Sequence, residues 1–458
     1  MIRVFRSPWC AGLMVLMTVL MPASGSAPDP VVVFEGARLI TGEGSAPIED
    51  AAFLVARGRI AAVGRQGALA VPSGAVHVDL SGKTVMPALM DDHVHMGYRS
   101  GESFSADHYT AQNLLDTLDR FAFFGVAAIL ETGTGRGDLP YAVRAQAQSG
   151  TRYYTTGSGF AMPAAGPGGP MRDSIYGVTT DAEARRYVRE LARHHPDMVK
   201  IWVDDREGRV EKLRPDLYRA IIDEAHRHHL KVMAHIVNLE DVKDLLRAGV
   251  DGFAHMVRDQ AVDAELLALL RERPQVFFLE TLWGERRDIY TTPPAWLNDP
   301  AWRDIYTAGD RIALARQFEP DPGVNPQTRA RARAMAKMSL QNTATLQKAG
   351  VRLGLGTDTG GMNGGQFFGL ATHMELELLV REAGLTPMQA IVIGTRNSAE
   401  ILGADALGTV APGKSADFIV LDANPLEDIA NTRRIDRVYL RGKEIPRKAW
   451  KARWANQP

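Results

Sequence analysis

VMPALMDDHVHM, residues 85–96, is an apolar run that ends in two histidines one residue apart. Read as a strand, it sends His93 and His95 to the same side, because successive side chains alternate between faces. Seven further runs follow: VAAILETG (126–133), RYYTTGSG (152–159), MVKIWVDD (198–205), KVMAHIVN (231–238), GFAHMV (252–257), VFFLETL (276–282) and VRLGLGTDTG (351–360). Helical stretches separate them, which is the pattern of βαβ units and a parallel sheet. Eight such strands across residues 85–402 predict an α/β fold, a TIM (β/α)8 barrel, with its active site at the C-terminal ends of the strands.

Outside 85–402 the texture changes. Residues 31–80 read as short strands and turns in VVVFEGARLI, AAFLVARGRIAAVG and AVHVDL, and the same texture returns in GTVAPGKSADFIVLDANP and DRVYLRGKEI near the end. Neither piece has enough apolar positions for a core of its own. They are expected to pair as one small β-sandwich, with parts at 28–84 and 403–458, into which the barrel is inserted. One interval breaks the barrel's rhythm: residues 283–350, which include YTTPPAWLNDPAWRDIY. A long excursion on the catalytic face covers or shapes the site, or it forms the contact of a homo-oligomer.

The first 27 residues run from Arg3 and Arg6 through an apolar stretch, Trp9 to Met21, into small residues. That is the layout of a secretory signal peptide, and the apolar stretch falls short of the roughly 17 to 25 residues of a spanning helix. Cleavage is expected between Ala23 and Ala27, giving a periplasmic or extracellular protein without stable membrane insertion. Cys10, the single cysteine, would leave with the signal, so ligands and nucleophiles must come from other side chains. Elsewhere the composition is ordinary for a globular chain of 458 residues, 45% hydrophobic and 23% charged. With 53 basic and 54 acidic side chains there is no overall positive field to attract nucleic acid, and the expected partner is a small-molecule substrate.

Alone, the His-x-His pair is ambiguous, since histidines on a half-buried strand are commonly structural. Its company changes the reading: Lys200, His235, His255 and Asp358 fall at or near the ends of the fourth, fifth, sixth and eighth strands, on the same rim. Neutral imidazoles with a carboxylate suit Zn²⁺, with Mn²⁺, Co²⁺ or Fe²⁺ as alternatives. His226, His228 and His229 lie in a helical stretch and read as a solvated or second-layer face. His77, His108, His194 and His195 lie away from strand ends, and His373, downstream of the eighth strand, is the one further candidate for a substrate contact.

MPALMDDHVHMG, MVKIWVDD, VMAHIVNLEDVKDLLRAGVDGFAHM, LGLGTDTGG, HMELELLVREAGLTPMQAIVIGTRNSAEILG and GTVAPGKSADFIVLDANP together resemble the amidohydrolase superfamily, in particular its imidazolonepropionase-like and Xaa-Pro dipeptidase-like members. The resemblance covers nearly all of the chain after residue 27 and implies a barrel with a split β-sandwich. It implies two divalent metals, one on His93, His95 and Asp358 and one on His235 and His255, bridged by a Lys200 carboxylated by CO₂. It further implies hydrolysis of a carbon–nitrogen bond by a metal-bridging hydroxide, with Asp358 as the catalytic residue that moves the proton. Two departures stand out: GFAMPAAGPGGPMRD (159–173) lacks a histidine that many relatives carry nearby, and Ala254 stands where a glutamate often precedes the sixth-strand histidine. Both bear on the substrate and leave the ligands intact. The glycines and prolines of that loop read as a tight turn.

Other functions fit parts of this pattern. A lactonase, esterase or phosphotriesterase shares the same binuclear centre, and a mononuclear deaminase would use the histidines and Asp358 but have no use for Lys200. A metal-free binding protein would have no reason to keep every ligand type.

Overall fold

The computed structural model describes residues 30–455, apart from 101–102, 148–149, 291, 299–304, 307–311, 313–314, 317, 320–324 and 362–366. The signal-peptide reading and Cys10 therefore lie outside the described residues. Each of the eight expected runs contains a strand: Leu89–Val94, Val126–Glu131, Arg152–Thr155, Val199–Trp202, Val232–His235, Gly252–Ala254, Phe277–Glu280 and Arg352–Leu355. They pair in parallel as two sheets. The first three form one, and the last five, with two short strands at Phe160–Ala161 and Tyr176–Gly177, form the other.

The sheets approach each other where the first and eighth strands meet. Val94 bridges Thr359, the His95 N–H donates to the Thr359 carbonyl at 2.8 Å, and the Asp358 N–H donates to the His93 carbonyl at 2.8 Å. Between the third and fourth strands the ladder is interrupted. The third strand stops at Thr155, short of the 152–159 expected, because Gly157 turns the chain with φ +60°, and Phe160 then pairs with Ile201.

Helices between the strands start and stop on conventional signals. Thr180 caps Asp181–Ala192 by accepting from the Glu183 N–H, Thr386 and Gln389 form a capping box, and Gly249 ends Leu239–Ala248 in the left-handed conformation. Leu130, Met198, Met233, Ala254, Phe277, Leu279 and Ile401 form one buried cluster between strands of both sheets and the helix Ser398–Leu402. Burying such side chains contributes about 1.5–3 kcal/mol each.

The two ends of the chain share one eight-stranded sheet. Thr84–Pro87 sits at its centre, parallel to Val32–Leu39 and antiparallel to Phe418–Leu421, so the sheet reaches beyond the boundary at 84 expected from the sequence. Phe34, Phe53, Phe418 and Tyr439 pack together with ring centroids 4.7 to 5.1 Å apart. Because Thr84–Pro87 leads straight into Leu89–Val94, this sheet anchors the first histidine-bearing strand. Within 283–350, Tyr290, Trp296 and Phe318 form an aromatic cluster with Trp283, and Trp283 and Tyr306 reach Phe367. Among the described residues, no helix is long and apolar enough to cross a membrane.

Candidate metal centre

Strand geometry gathers the six predicted residues. His93 is near the end of the first strand and His95 just beyond it, Lys200 is inside the fourth, and His235 ends the fifth. His255 directly follows the sixth strand, and Asp358 follows the eighth. His255 and Asp358 both have left-handed backbone, with φ +71° and +56°. Non-glycine residues rarely adopt it, and such strain persists where surrounding structure holds it.

The imidazoles form a row with ring centroids 5.3 Å apart for His93 and His95, 4.8 Å for His93 and His255, and 4.5 Å for His235 and His255. Ligand atoms of His93, His95 and Asp358 all lie within 4.8 Å of one another. Asp358 Oδ1 is 3.1 Å from His95 Nε2 and 3.6 Å from His93 Nε2. These rings and Asp358 line a cavity of about 450 Å³ with Trp202, Asp204, Arg206, Arg209, Val210, Gly166, Pro167 and Met171.

Lys200 is buried beneath this cavity, its Nζ 5.4 Å from the Trp202 ring centroid. Gly133 leaves room for it: a Cβ there would stand 2.8 Å from the Lys200 Cγ and 2.4 Å from the Trp202 ring. Among the described residues, neither Lys200 Nζ nor either ring nitrogen of His93 has a hydrogen-bond partner. Orphaned nitrogens in the interior are costly, and the two that bear on the site, Lys200 Nζ and His93 Nε2, leave room for a ligand beside Asp358. A cation with its oxygen ligands fits that space and this donor set.

Electrostatics agree. Burial lowers the Lys200 pKa to about 7, with Asp358 pulling the other way. Burial, followed by the charge of Lys200 and the neighbouring rings, pushes His93 well below the ordinary histidine range. Burial and then His235 and His93 do the same to His255, and burial lowers His235 against the pull of Asp204. These rings are therefore neutral and have lone pairs free to bind metal. Burial acts to raise Asp358, but the nitrogens of His95, His235 and Lys200 gathered around it outweigh that and hold the carboxylate below its usual pKa.

Several contributing residues were not legible from the sequence. Thr134 Oγ1 lies 3.0 Å from His95 Nδ1 and 2.5 Å from Glu131 Oε1, and Thr281 Oγ1 lies 2.6 Å from His255 Nδ1. These contacts fix the rings with Nε2 aimed inward, as outer partners of metal ligands do. Asp204 faces His235 Nε2 at 3.5 Å. A partial signal existed: Glu131 and Thr281 fall near the ends of the second and seventh runs, with Thr134 just beyond the second.

Two expectations change. His373 is fully buried with Nε2 2.8 Å from the Phe124 carbonyl, and burial lowers its pKa to about 4. It is a packing residue away from the cavity, because its helix, Leu370–Arg381, turns it toward the Phe124 loop. The 159–173 loop is more than a tight turn, since Gly166, Pro167 and Met171 wall the cavity. His226, expected on a solvated or second-layer face, is exposed and pairs with Asp251 at 2.8 Å.

Imidazoles, a carboxylate and a buried lysine gathered by parallel strands make a donor set that suits a divalent metal. Residues 84–445 match the amidohydrolase family, and the chain belongs to it. It is 27% identical to ochratoxinase of Aspergillus niger over 90% of this chain and 85% of that one. A shorter stretch, 18% of this chain and 20% of the relative, is 38% identical to imidazolonepropionase of Deinococcus deserti. Its fold matches the crystal structure of a Xaa-Pro dipeptidase with bound methionine in the active site, at a TM-score of 0.70 and 21% identity over 90% of this chain and 99% of that one.

Proposed function

We propose that this protein is an exported hydrolase that cleaves an amide or peptide-like carbon–nitrogen bond of a small substrate, at a binuclear centre held by His93, His95, Lys200, His235, His255 and Asp358. The observation that carries this reading is that Lys200 Nζ and His93 Nε2, buried among the other imidazoles and Asp358, have no hydrogen-bond partner among the described residues. Two divalent ions, Zn²⁺ first among them for this donor set, would polarise the substrate carbonyl and acidify water there.

The chain's own residues have separable tasks. Lys200, its amine neutral for much of the time near pH 7, can add to CO₂: an N–C bond forms, the amine's proton leaves to solvent, and the resulting carboxylate would help hold the metal ions. Asp358 starts ionised, takes the proton of the attacking water on Oδ1 and passes it to the leaving nitrogen. His93, His95, His235 and His255 hold position through neutral nitrogens. Trp202, Met171, Pro167 and Val210 line the cavity with apolar surface and limit the water reaching the reacting atoms.

The Xaa-Pro dipeptidase neighbour and ochratoxinase support a small amide-bearing substrate. We also infer that the two parallel sheets act as one (β/α)8 barrel, supported by the Val94 and Thr359 bridge, and that the shared terminal sheet folds over as a β-sandwich around Phe34, Phe53, Phe418 and Tyr439. The domain boundaries proposed are 1–27, 28–84, 85–402 and 403–458, with the terminal sheet running on to Pro87. Export rests on the basic, apolar and small-residue order of residues 1–27. The test is metal analysis of the purified protein together with turnover of N-acyl amino acids, prolyl dipeptides and lactones. Two bound metals with amide turnover support the reading, and turnover of lactones alone replaces it.

A further inference from the structure

Two arginines from the segment after the fourth strand enter the same cavity as the imidazoles, Arg206 and Arg209. The backbone that presents them is fixed. Arg206 and Glu207 have φ +49° and +63°, the Arg206 N–H donates to Asp204 Oδ1 at 2.8 Å, and Arg209 Nε donates to the Arg206 carbonyl at 2.8 Å. Arg206 also donates through one terminal nitrogen to the Gly166 carbonyl on the 159–173 loop. Each guanidinium is thus tethered by one nitrogen and keeps its other donors for a ligand.

Neither arginine has a carboxylate partner among the described residues. The acids that share the cavity are engaged elsewhere: Asp204 faces His235, and Asp358 faces His93 and His95. Forked guanidinium donors beside an apolar wall are an arrangement that recognises a carboxylate. A single negative charge suits the site better than two, because Asp204 and Asp358 repel a dianion. Arg206 is half-buried and Arg209 is exposed, so Arg206 makes the tighter contact and Arg209 the more salt-sensitive one.

We propose that Arg206 and Arg209 bind a carboxylate on the substrate, which makes the preferred substrates anionic amides of the N-acyl amino acid and dipeptide class, over neutral amides, ureas and lactones. This rests on the amide-hydrolase reading above. The metal-loaded full-length protein is assayed with N-acetylphenylalanine and with N-acetylphenethylamine, which share the scissile amide and differ by the carboxylate. The acid is expected to have a kcat/KM higher on the order of 10²-fold, mostly through KM. Arg206→Met with Arg209→Met is expected to reduce that ratio about tenfold or more, and the paired Lys substitutions to restore part of it. Because the ratio compares two substrates on one protein, losses of folding or metal cancel.

Calorimetric binding of 3-phenylpropionate and 3-phenylpropanol repeats the comparison without turnover. The wild type is expected to favour the acid about tenfold or more, and the double Met protein to lose most of that preference with metal content measured alongside. Equal turnover of both amides by the wild type, or an acid preference that survives the double Met substitution, overturns the proposal while leaving amide hydrolysis standing. Turnover of neither amide, with an acid preference that depends on the arginines, supports the anion site and faults the amide reading alone.

Discussion

Thr134→Val removes one hydroxyl at nearly constant volume from a fully buried chain of contacts. Three donors converge on Glu131: Thr134 Oγ1 at 2.5 Å and Thr134 N–H at 3.1 Å reach Oε1, and Thr155 Oγ1 at 2.9 Å reaches Oε2. Since the Thr134 hydroxyl gives its only proton to Glu131, its contact with His95 Nδ1 at 3.0 Å has the ring N–H as donor. That leaves the His95 Nε2 lone pair free to bind metal. Valine strands the His95 N–H and weakens the support of Glu131. Each unsatisfied buried group costs about 1–3 kcal/mol, so the metal-free protein should lose about 2–4 kcal/mol. Loss of such an outer partner should also weaken metal binding by about 10–100-fold. Urea unfolding of the metal-free protein and zinc competition against a chelator measure the two effects, and Thr134→Ser should preserve both. A Thr134→Val protein with unchanged unfolding midpoint and zinc affinity would refute the assignment.

Asp358→Asn should lower kcat by about 10²–10⁴-fold while metal content falls less, because the proton acceptor is lost but an oxygen ligand remains; near-normal kcat at full metal loading removes Asp358 from the proton path. Burial raises the Glu280 pKa to about 8 against an ordinary 4.5, so between those values the folded chain keeps a proton that the unfolded chain has released. The wild type should therefore lose stability relative to Glu280→Gln as pH rises through that window, and parallel urea midpoints at pH 5 and 8 would contradict this. N-terminal sequencing of natively produced protein should begin at residues 24 to 28, with Cys10 absent, and an intact Met1 in membrane-bound material would rule out export with cleavage.

Much of the fold is legible because apolar runs rich in β-branched residues, separated by helical text, mark each strand, and the period of two puts His93 and His95 on one side. That His93, His95, His235, His255 and Asp358 come together is legible for the same reason, since strand ends fix where they emerge, whereas Lys200 joins them from inside its strand. What lies one layer further out depends on loop conformation. Thr134 reaches His95 only because the chain turns sharply at Gly133, φ +78°, and Arg206 reaches the cavity through left-handed backbone that no composition signal announces. His373 shows the converse error. Its spacing after the eighth strand is compatible with a substrate contact, but helix rotation buries it against Phe124.

Whether Lys200 completes a two-metal centre is tested by metal stoichiometry with turnover for wild type and Lys200→Ala, alongside native mass analysis of the wild type. Two metals per wild-type chain and a mass increase of one CO₂ are expected. In Lys200→Ala joint loss of metal and activity is expected, with partial recovery of both in acetate or formate. A Lys200→Ala protein that keeps two metals and normal turnover without added carboxylate contradicts that role for Lys200.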